Sequence, residues 1–181
     1  LSGLAVSELK GFDALTSIGG SMSLSNLNEV TSIDAFPVLK SIGSQCSFNG
    51  LKKLQDISLL AQLKGVHLSN CVLNNLDALT SLDLTGLEVD ALQITGKNAL
   101  TLKGSKTLNT NLTINGIPGI SFSGIEEVQN VSVSNMPATI TGRVEYNFPG
   151  LKKIGTLSVS QAYGASLGVL RFPDLTEISG K

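Results

Sequence analysis

The chain has 181 residues, of which 41% are hydrophobic, 15% charged and 4% aromatic, and its 13 Lys and Arg against 14 Asp and Glu leave a net charge of −1. That length suits one domain or one long repeat array rather than two separate cores. The charge balance offers no basic footprint for a phosphate backbone, so no nucleic acid is expected as a partner, and no apolar run approaches the ~18 residues of a membrane span.

Charged residues fall short of the ~25% usual in soluble domains. Ser, Thr and Asn fill the gap, and these favour turns and strands over helix surfaces. A chain that opens on Leu1 is expected to be a trimmed or processed piece of a longer protein.

Internal repetition governs everything else, because a period of 20 to 50 residues makes each unit one rung of a stack. A first motif places apolar residues three and six positions after an aromatic anchor and closes on Gly. In chain order it reads Phe12-Asp-Ala-Leu15-Thr-Ser-Ile18-Gly19, Phe36-Pro37-Val-Leu39-Lys-Ser-Ile42-Gly43, Phe148-Pro149-Gly-Leu151-Lys-Lys-Ile154-Gly155 and Phe172-Pro173-Asp-Leu175-Thr-Glu-Ile178-Ser-Gly180. Leu60-Ala-Gln-Leu63-Lys-Gly-Val66 is a degenerate copy.

A second motif flanks one polar residue with two apolar ones and continues with an Asn- or Gly-rich pair. Its copies are Met22-Ser-Leu24-Ser-Asn-Leu27, Cys46-Ser-Phe48-Asn-Gly-Leu51, Val66-His-Leu68-Ser-Asn-Cys71 and Leu92-Gln-Ile94-Thr-Gly. Leu112-Thr-Ile114-Asn-Gly-Ile117, Val131-Ser-Val133-Ser-Asn-Met136 and Leu157-Ser-Val159-Ser-Gln-Ala162 follow. The second apolar positions stand 24, 20, 26, 20, 19 and 26 residues apart. Leu82-Asp-Leu84-Thr-Gly-Leu87 fits as well, so the register over 72–110 is open and has room for an extra short coil.

Apolar, polar, apolar is the period-two signature of a short strand with one buried face. The Asn or Gly that follows tolerates a positive φ, which turns the chain sharply. The three-residue spacing of Val30, Ile33, Phe36, Leu39 and Ile42 is not a long helix, since Pro37 removes a donor and Gly43 ends the run. Short 3₁₀ or single-turn corners remain compatible with Pro at a first helical position.

A unit of about 22 residues cannot bury its own apolar face, whereas stacked units share a continuous column. The expected fold is therefore mainly β, a parallel β-solenoid (β-helix) of about seven coils forming a single domain over residues 1–181. Its interior columns are predicted as Met22, Cys46, Val66, Leu92, Leu112, Val131 and Leu157, beside Leu24, Phe48, Leu68, Ile94, Ile114, Val133 and Val159.

Phe-x-x-Leu-x-x-Ile-Gly anchors alternating with Leu-x-Ile-x-Asn-Leu strands resemble the receptor L-domain repeat. That family is a leucine-rich-repeat-like, right-handed β-solenoid of receptor ectodomains and microbial surface proteins. The resemblance spans essentially the whole chain and is clearest over residues 11–51 and 148–180. Ala35-Phe36-Pro-Val-Leu39-Lys-Ser-Ile42 is also similar to the bacterial surface leucine-rich repeat. The resemblance implies an extracellular or cell-surface location, with any lipid anchor outside this segment. Because the disulfide-rich modules of vertebrate receptors are missing, it implies a bacterial setting.

Chemistry is sparse. Cys46 and Cys71 fall in different predicted columns and read as buried free thiols, with a bridge requiring skewed coils. One His and two Cys at these spacings do not make a zinc site, so no metal is expected. His67, between Val66 and Leu68, points outward without a nucleophile signature beside it. Asp83, Glu88 and Asp90, and the pair Glu126-Glu127, have the residue type for glycosidic chemistry but no aromatic company, and read as solvated faces. Lys40, Lys52-Lys53 and Lys152-Lys153 read as solvated corners. Asn111-Leu-Thr113 and Asn130-Val-Ser132 match the glycosylation acceptor pattern at close to background frequency, and Thr139-Ile-Thr141 alone does not make an ice-binding array. No phosphate loop, cofactor site or catalytic residue is expected.

The strongest departures from the repeat are the insertions Gly142-Arg143-Val-Glu145-Tyr146-Asn147 and Gln161-Ala-Tyr163-Gly164, which hold both tyrosines. Insertions in solenoids become loops on one face, and Tyr with Arg typifies interaction hot spots. Arg143, Tyr146, Tyr163 and Arg171 are thus the candidate partner-binding residues. A further coil, cap or neighbouring domain is expected after Lys181, where the next strand would begin. The expected function is a non-catalytic, cell-surface or secreted module that binds a protein or glycan, or acts as a spacer. The alternative is a carbohydrate-active β-solenoid enzyme, a lyase or glycosidase.

Overall fold

A computed structural model describes residues 1–135, 144–160 and 168–180. Eight parallel strands stack in sequence order into one main sheet: Met22–Ser25, Gln45–Asn49, Asn70–Asn74, Ala91–Thr95, Thr107–Asn115, Glu127–Ser134, Lys153–Ser160 and Glu177–Ile178. Ser81–Asp83, Leu100–Lys103 and Ile120–Ser123 form a second parallel sheet across the middle coils. Parallel two-strand pairs join Ser17–Ile18 to Ser41–Ile42, His67–Leu68 to Glu88–Val89, and Val144–Asn147 to Gly168–Arg171. The result is a β-solenoid of about seven turns.

Register defines two inward columns. One runs Met22, Cys46, Cys71, Leu92, Leu112, Val131 and Leu157; the other runs Leu24, Phe48, Leu73, Ile94, Ile114, Val133 and Val159. They are buried as far as Val131 and Val133, after which Leu157 is half-buried and Val159 is 47% exposed.

The third rung corrects the sequence reading. Cys71 and Leu73, not Val66 and Leu68, occupy the columns. The residue between Cys71 and Leu73 is Val72, whose apolar side chain masks the period-two pattern. Leu68 is still buried, but on the wall shared with Val89. Leu82 and Leu84 are buried too, and the strand Ser81–Asp83 belongs to the second sheet rather than to an extra coil of the main one.

Corners follow the expected chemistry. Asn26, Gly50, Asn75, Gly116 and Asn135 all have positive φ immediately after a main-sheet strand. The N–H groups of Asn26, Gly50 and Asn75 donate to the carbonyls of Asn49, Asn74 and Thr95 in the following coil at 2.8–2.9 Å, so the ladder continues around the bend. Leu27, Leu51, Leu76 and Ile117 then point back inside and are buried.

The aromatic anchors make β-turns rather than helical corners. Leu15, Leu39 and Leu175 donate to the carbonyls of Phe12, Phe36 and Phe172 at 3.0, 3.2 and 3.3 Å, placing Pro37 and Pro173 where a turn wants a fixed φ. The α-helix Ser58–Gln62 lies in the degenerate copy. Phe12 stacks on Phe36 with ring centroids 4.8 Å apart, and Phe148 on Phe172 at 4.9 Å. The glycine closing the anchor motif is steric: a Cβ on Gly43 would overlap the carbonyl oxygen of Gly19, and one on Gly155 that of Gln129.

Cys46 and Cys71 are free, buried and in register on adjacent strands, which replaces the expectation that they lie in different columns. Hydrogen bonding with Cys71, and then burial, push the Cys46 thiol far above its ordinary pKa.

Two predictions follow the columns. Ile114→Ala, at a fully buried rung, is expected to lower the urea-unfolding free energy by ~2–5 kcal/mol, whereas Val159→Ala should stay under ~1 kcal/mol. Both thiols should resist a thiol-specific disulfide reagent in native buffer and react together once denaturant exceeds the unfolding midpoint.

Candidate functional site

A solenoid presents the same side-chain positions at every coil, so its surface consists of rows. The outward rows of the main sheet read Ser23, Ser47, Val72, Gln93, Thr113, Ser132 and Ser158, and Ser25, Asn49, Asn74, Thr95, Asn115, Ser134 and Ser160. None of these side chains is charged. A third row, Ala91, Asn111, Asn130 and Thr156, is equally neutral. Asn130 Nδ2 donates to Asn111 Oδ1 at 2.7 Å, and Asn111 Nδ2 donates to the Asp90 carbonyl at 3.1 Å. The two asparagines of the acceptor-like triplets thus form an amide ladder. At strand spacings of ~4.8 Å, seven rungs make a wall about 29 Å long. A shallow depression of about 360 Å³ lies on it, lined by Asn111, Thr113, Asn130, Ser132, Thr156 and Ser158 among others.

Charges gather elsewhere, in cross-coil pairs. Lys53 meets Glu29 at 2.6 Å, Lys97 meets Asp77 at 3.3 Å, Lys103 meets Asp83 at 2.9 Å and Lys153 meets Glu177 at 3.1 Å. Glu126 receives Lys152 at 2.8 Å and Lys106 at 3.5 Å. Lys53, Lys152 and Lys153, expected as solvated corners, are exposed but paired. The hydrogen bond from Lys103, with Thr85 assisting, holds Asp83 down to about 2, so its contribution to stability is present above the ordinary carboxylate pKa and is lost as pH falls from there through about 2. Lys152, the first of its two lysines, likewise lowers Glu126, and Glu177 raises Lys153.

A further concavity interrupts these rows. A groove of about 390 Å³ is lined by His67, Glu88, Asp90, Ser105, Thr107 and Asn109 over apolar residues that include Leu87, Val89 and Leu108. It exists because the strand Glu88–Val89 pairs only with His67–Leu68, so the ladder stops there. Farther along, the next coil bulges: Leu108 pairs with Val128 but Asn111 with Asn130, leaving Asn109 and Thr110 opposite Gln129 alone. Thr110 is fully buried, and among the described residues its Oγ1 has no hydrogen-bond partner.

Glu88 and Asp90 alternate about buried Val89 and therefore project from one wall, roughly 6.6 Å apart along the strand. Thr107 and Asn109 alternate about Leu108 on the other. His67, in register with Glu88, shares a hydrogen bond with Asp90 Oδ1 through Nε2 at 2.8 Å. That bond, reinforced by the charges of Asp90 and Glu88, raises the His67 pKa above 6.5. Sequence reading placed these three residues on a solvated face. They are exposed, but the missing signal was the coil register, which puts residue 67 beside 88 and 90.

Among the tyrosine-bearing insertions, Arg143 and Tyr163 lie outside the described residues, as does Thr139-Ile-Thr141. Tyr146 sits in the strand Val144–Asn147, in register with Leu170, and the next pair is Asn147 with Arg171. Arg171 is exposed, and its carbonyl accepts the Phe148 N–H at 2.9 Å. The fold thus brings Tyr146 and Arg171 onto adjacent strands. No cluster of His, Cys, Asp or Glu among the described residues is arranged to hold a metal ion, and no described helix is long and apolar enough to cross a membrane.

Comparison of the chain with protein-family models, with curated proteins and with solved structures finds no match.

His67 is the sole histidine, so its titration can be followed by NMR without ambiguity. Its pKa is expected above 6.5 and should fall back toward that value in Asp90→Asn. The sign is that of a raised group: the His67–Asp90 pair adds stability below pH 6.5 and loses it as pH rises through the folded-state pKa, weakly because both side chains are more than half exposed.

Proposed function

We propose that this chain is a non-catalytic module, displayed at a cell surface or secreted, that binds a glycan or protein along its solenoid wall. The observation that carries this reading is the main-sheet face, where at least two rows of hydroxyl, amide and small apolar side chains run through seven rungs without a charge. Such a face offers regularly spaced donors and acceptors to an extended ligand and repels neither sign of charge. The phenylalanine-anchored turns and stacked rings support kinship with the receptor L-domain and leucine-rich-repeat solenoids of bacterial surfaces.

A carbohydrate-active enzyme is the second reading, favoured by the Glu88 and Asp90 carboxylates in one groove. Glycosidic cleavage needs two carboxyls flanking the scissile bond. Glu88 and Asp90 instead project from one wall, and Asp90 is engaged by His67.

A glycan array and a protein pull-down with the intact chain test the proposal. Thr113→Lys, which plants a charge at the centre of the wall, is expected to weaken wall-bound ligands at least about tenfold while unfolding at nearly the same temperature. Shortened or unsaturated oligosaccharide products appearing on incubation would favour the enzyme.

A further inference from the structure

We propose that the groove between Glu88 and Asn109 is a binding site for a saccharide that carries a free primary amine, with the ammonium against Glu88 and ring hydroxyls along Ser105, Thr107 and Asn109. The assignment rests on the glycan branch of the function proposed above and gives it a site and a ligand class.

It begins from an interruption in the charge rows. Glu29, Asp77, Asp83, Glu126 and Glu177 each meet a lysine supplied by an adjoining coil. Glu88 does not. Across the groove the next coil offers Ser105, Thr107 and Asn109, and the lysine among them, Lys106, is drawn to Glu126 at 3.5 Å. From the preceding coil the register partner is His67, which is committed to Asp90 at 2.8 Å. Among the described residues Glu88 thus faces the groove with no lysine or arginine paired to it. A bound ammonium would complete the row.

The rest of the lining narrows the ligand. Thr107 and Asn109 stand two residues apart on one strand, ~6.6 Å along it, and Ser105 precedes them; the Thr107 hydroxyl donates to Glu127 at 3.5 Å and keeps its acceptor lone pairs, while Ser105 and Asn109 can donate and accept. A ring bearing several hydroxyls uses all three, whereas a lysine side chain would satisfy Glu88 and leave them to water. About 390 Å³ falls within the ~300–1,000 Å³ of small-ligand sites. Leu87, Val89 and Leu108 give the floor an apolar surface for the C–H face of a sugar. N-acetylation removes the charge, and a uronic acid would set like charges together.

Calorimetric titration in mildly acidic buffer tests this on the intact chain. The probes are a glucosamine oligosaccharide with free amines, its N-acetylated counterpart and a lysine-rich peptide. The free-amine sugar is expected to bind, its acetylated form to bind at least about tenfold more weakly, and Glu88→Gln to reduce affinity roughly 10- to 100-fold, the effect of losing a charge-assisted hydrogen bond. Glu88 is exposed, so circular dichroism and unfolding temperature should not move. The assignment is overturned if the sugar fails to bind, if Glu88→Gln binds it equally well, or if the peptide binds more tightly in a Glu88-dependent way. Glycan binding lost in Thr113→Lys but intact in Glu88→Gln would refute the groove and leave the module standing; finding no ligand of any class would count against the module itself.

Discussion

An apolar residue in one coil of this protein is covered chiefly by its counterparts in the coils above and below. No coil has a core of its own, and stability is a chain of nearest-neighbour contacts. Leu24, Phe48, Leu73, Ile94, Ile114 and Val133 are buried because each lies in register between others of its kind. Where the column thins, exposure rises at once, as at Val159 and Ile178. The backbone ladder enforces that register, and the positive-φ corners let it continue round the bend.

The same repetition dictates the surface. A side chain that points outward recurs in the next coil about 4.8 Å away, so a row of like charges would repel itself along its length. Two solutions are visible. Three rows of the main wall are neutral, built chiefly of Ser, Thr, Asn and Gln. At several other charged positions a carboxylate on one coil is answered by a lysine on its neighbour, as with Asp83 and Lys103 or Glu126 and Lys152. These exposed pairs add little stability individually; their effect is to keep like charges out of adjacent rungs. In the His67, Glu88 and Asp90 groove, where the ladder ends and the following strand bulges, Asp90 is answered by His67 and Glu88 by neither solution.

Much of this was legible in the residues. The strand-corner unit, the positive-φ role of Asn26, Gly50, Gly116 and Asn135, and the inward columns apart from the third rung follow from period-two patterning with turn residues at fixed offsets. The third rung was misplaced for a physical reason: Val66-His-Leu68 alternates more cleanly than Cys71-Val-Leu73, yet the left-handed residue that ends the main-sheet strand is Asn75. Alternation identifies a strand without saying which wall it joins. Prolines repeated after the anchor marked a corner, but turn or helix depended on the hydrogen bond from Leu39 to Phe36.

The sequence by itself determined that the chain is a stack of short parallel strands with an apolar interior, since a motif that cannot shelter its own greasy face must be covered by copies of itself. Only the tertiary structure decided which residues meet across coils: Cys46 with Cys71, His67 with Glu88 and Asp90, Glu126 with Lys152. Coil lengths here vary, and a change of one or two residues in a corner shifts every later partner. Contacts between residues some 20 to 26 positions apart are therefore set by the accumulated path of the backbone rather than by any local pattern.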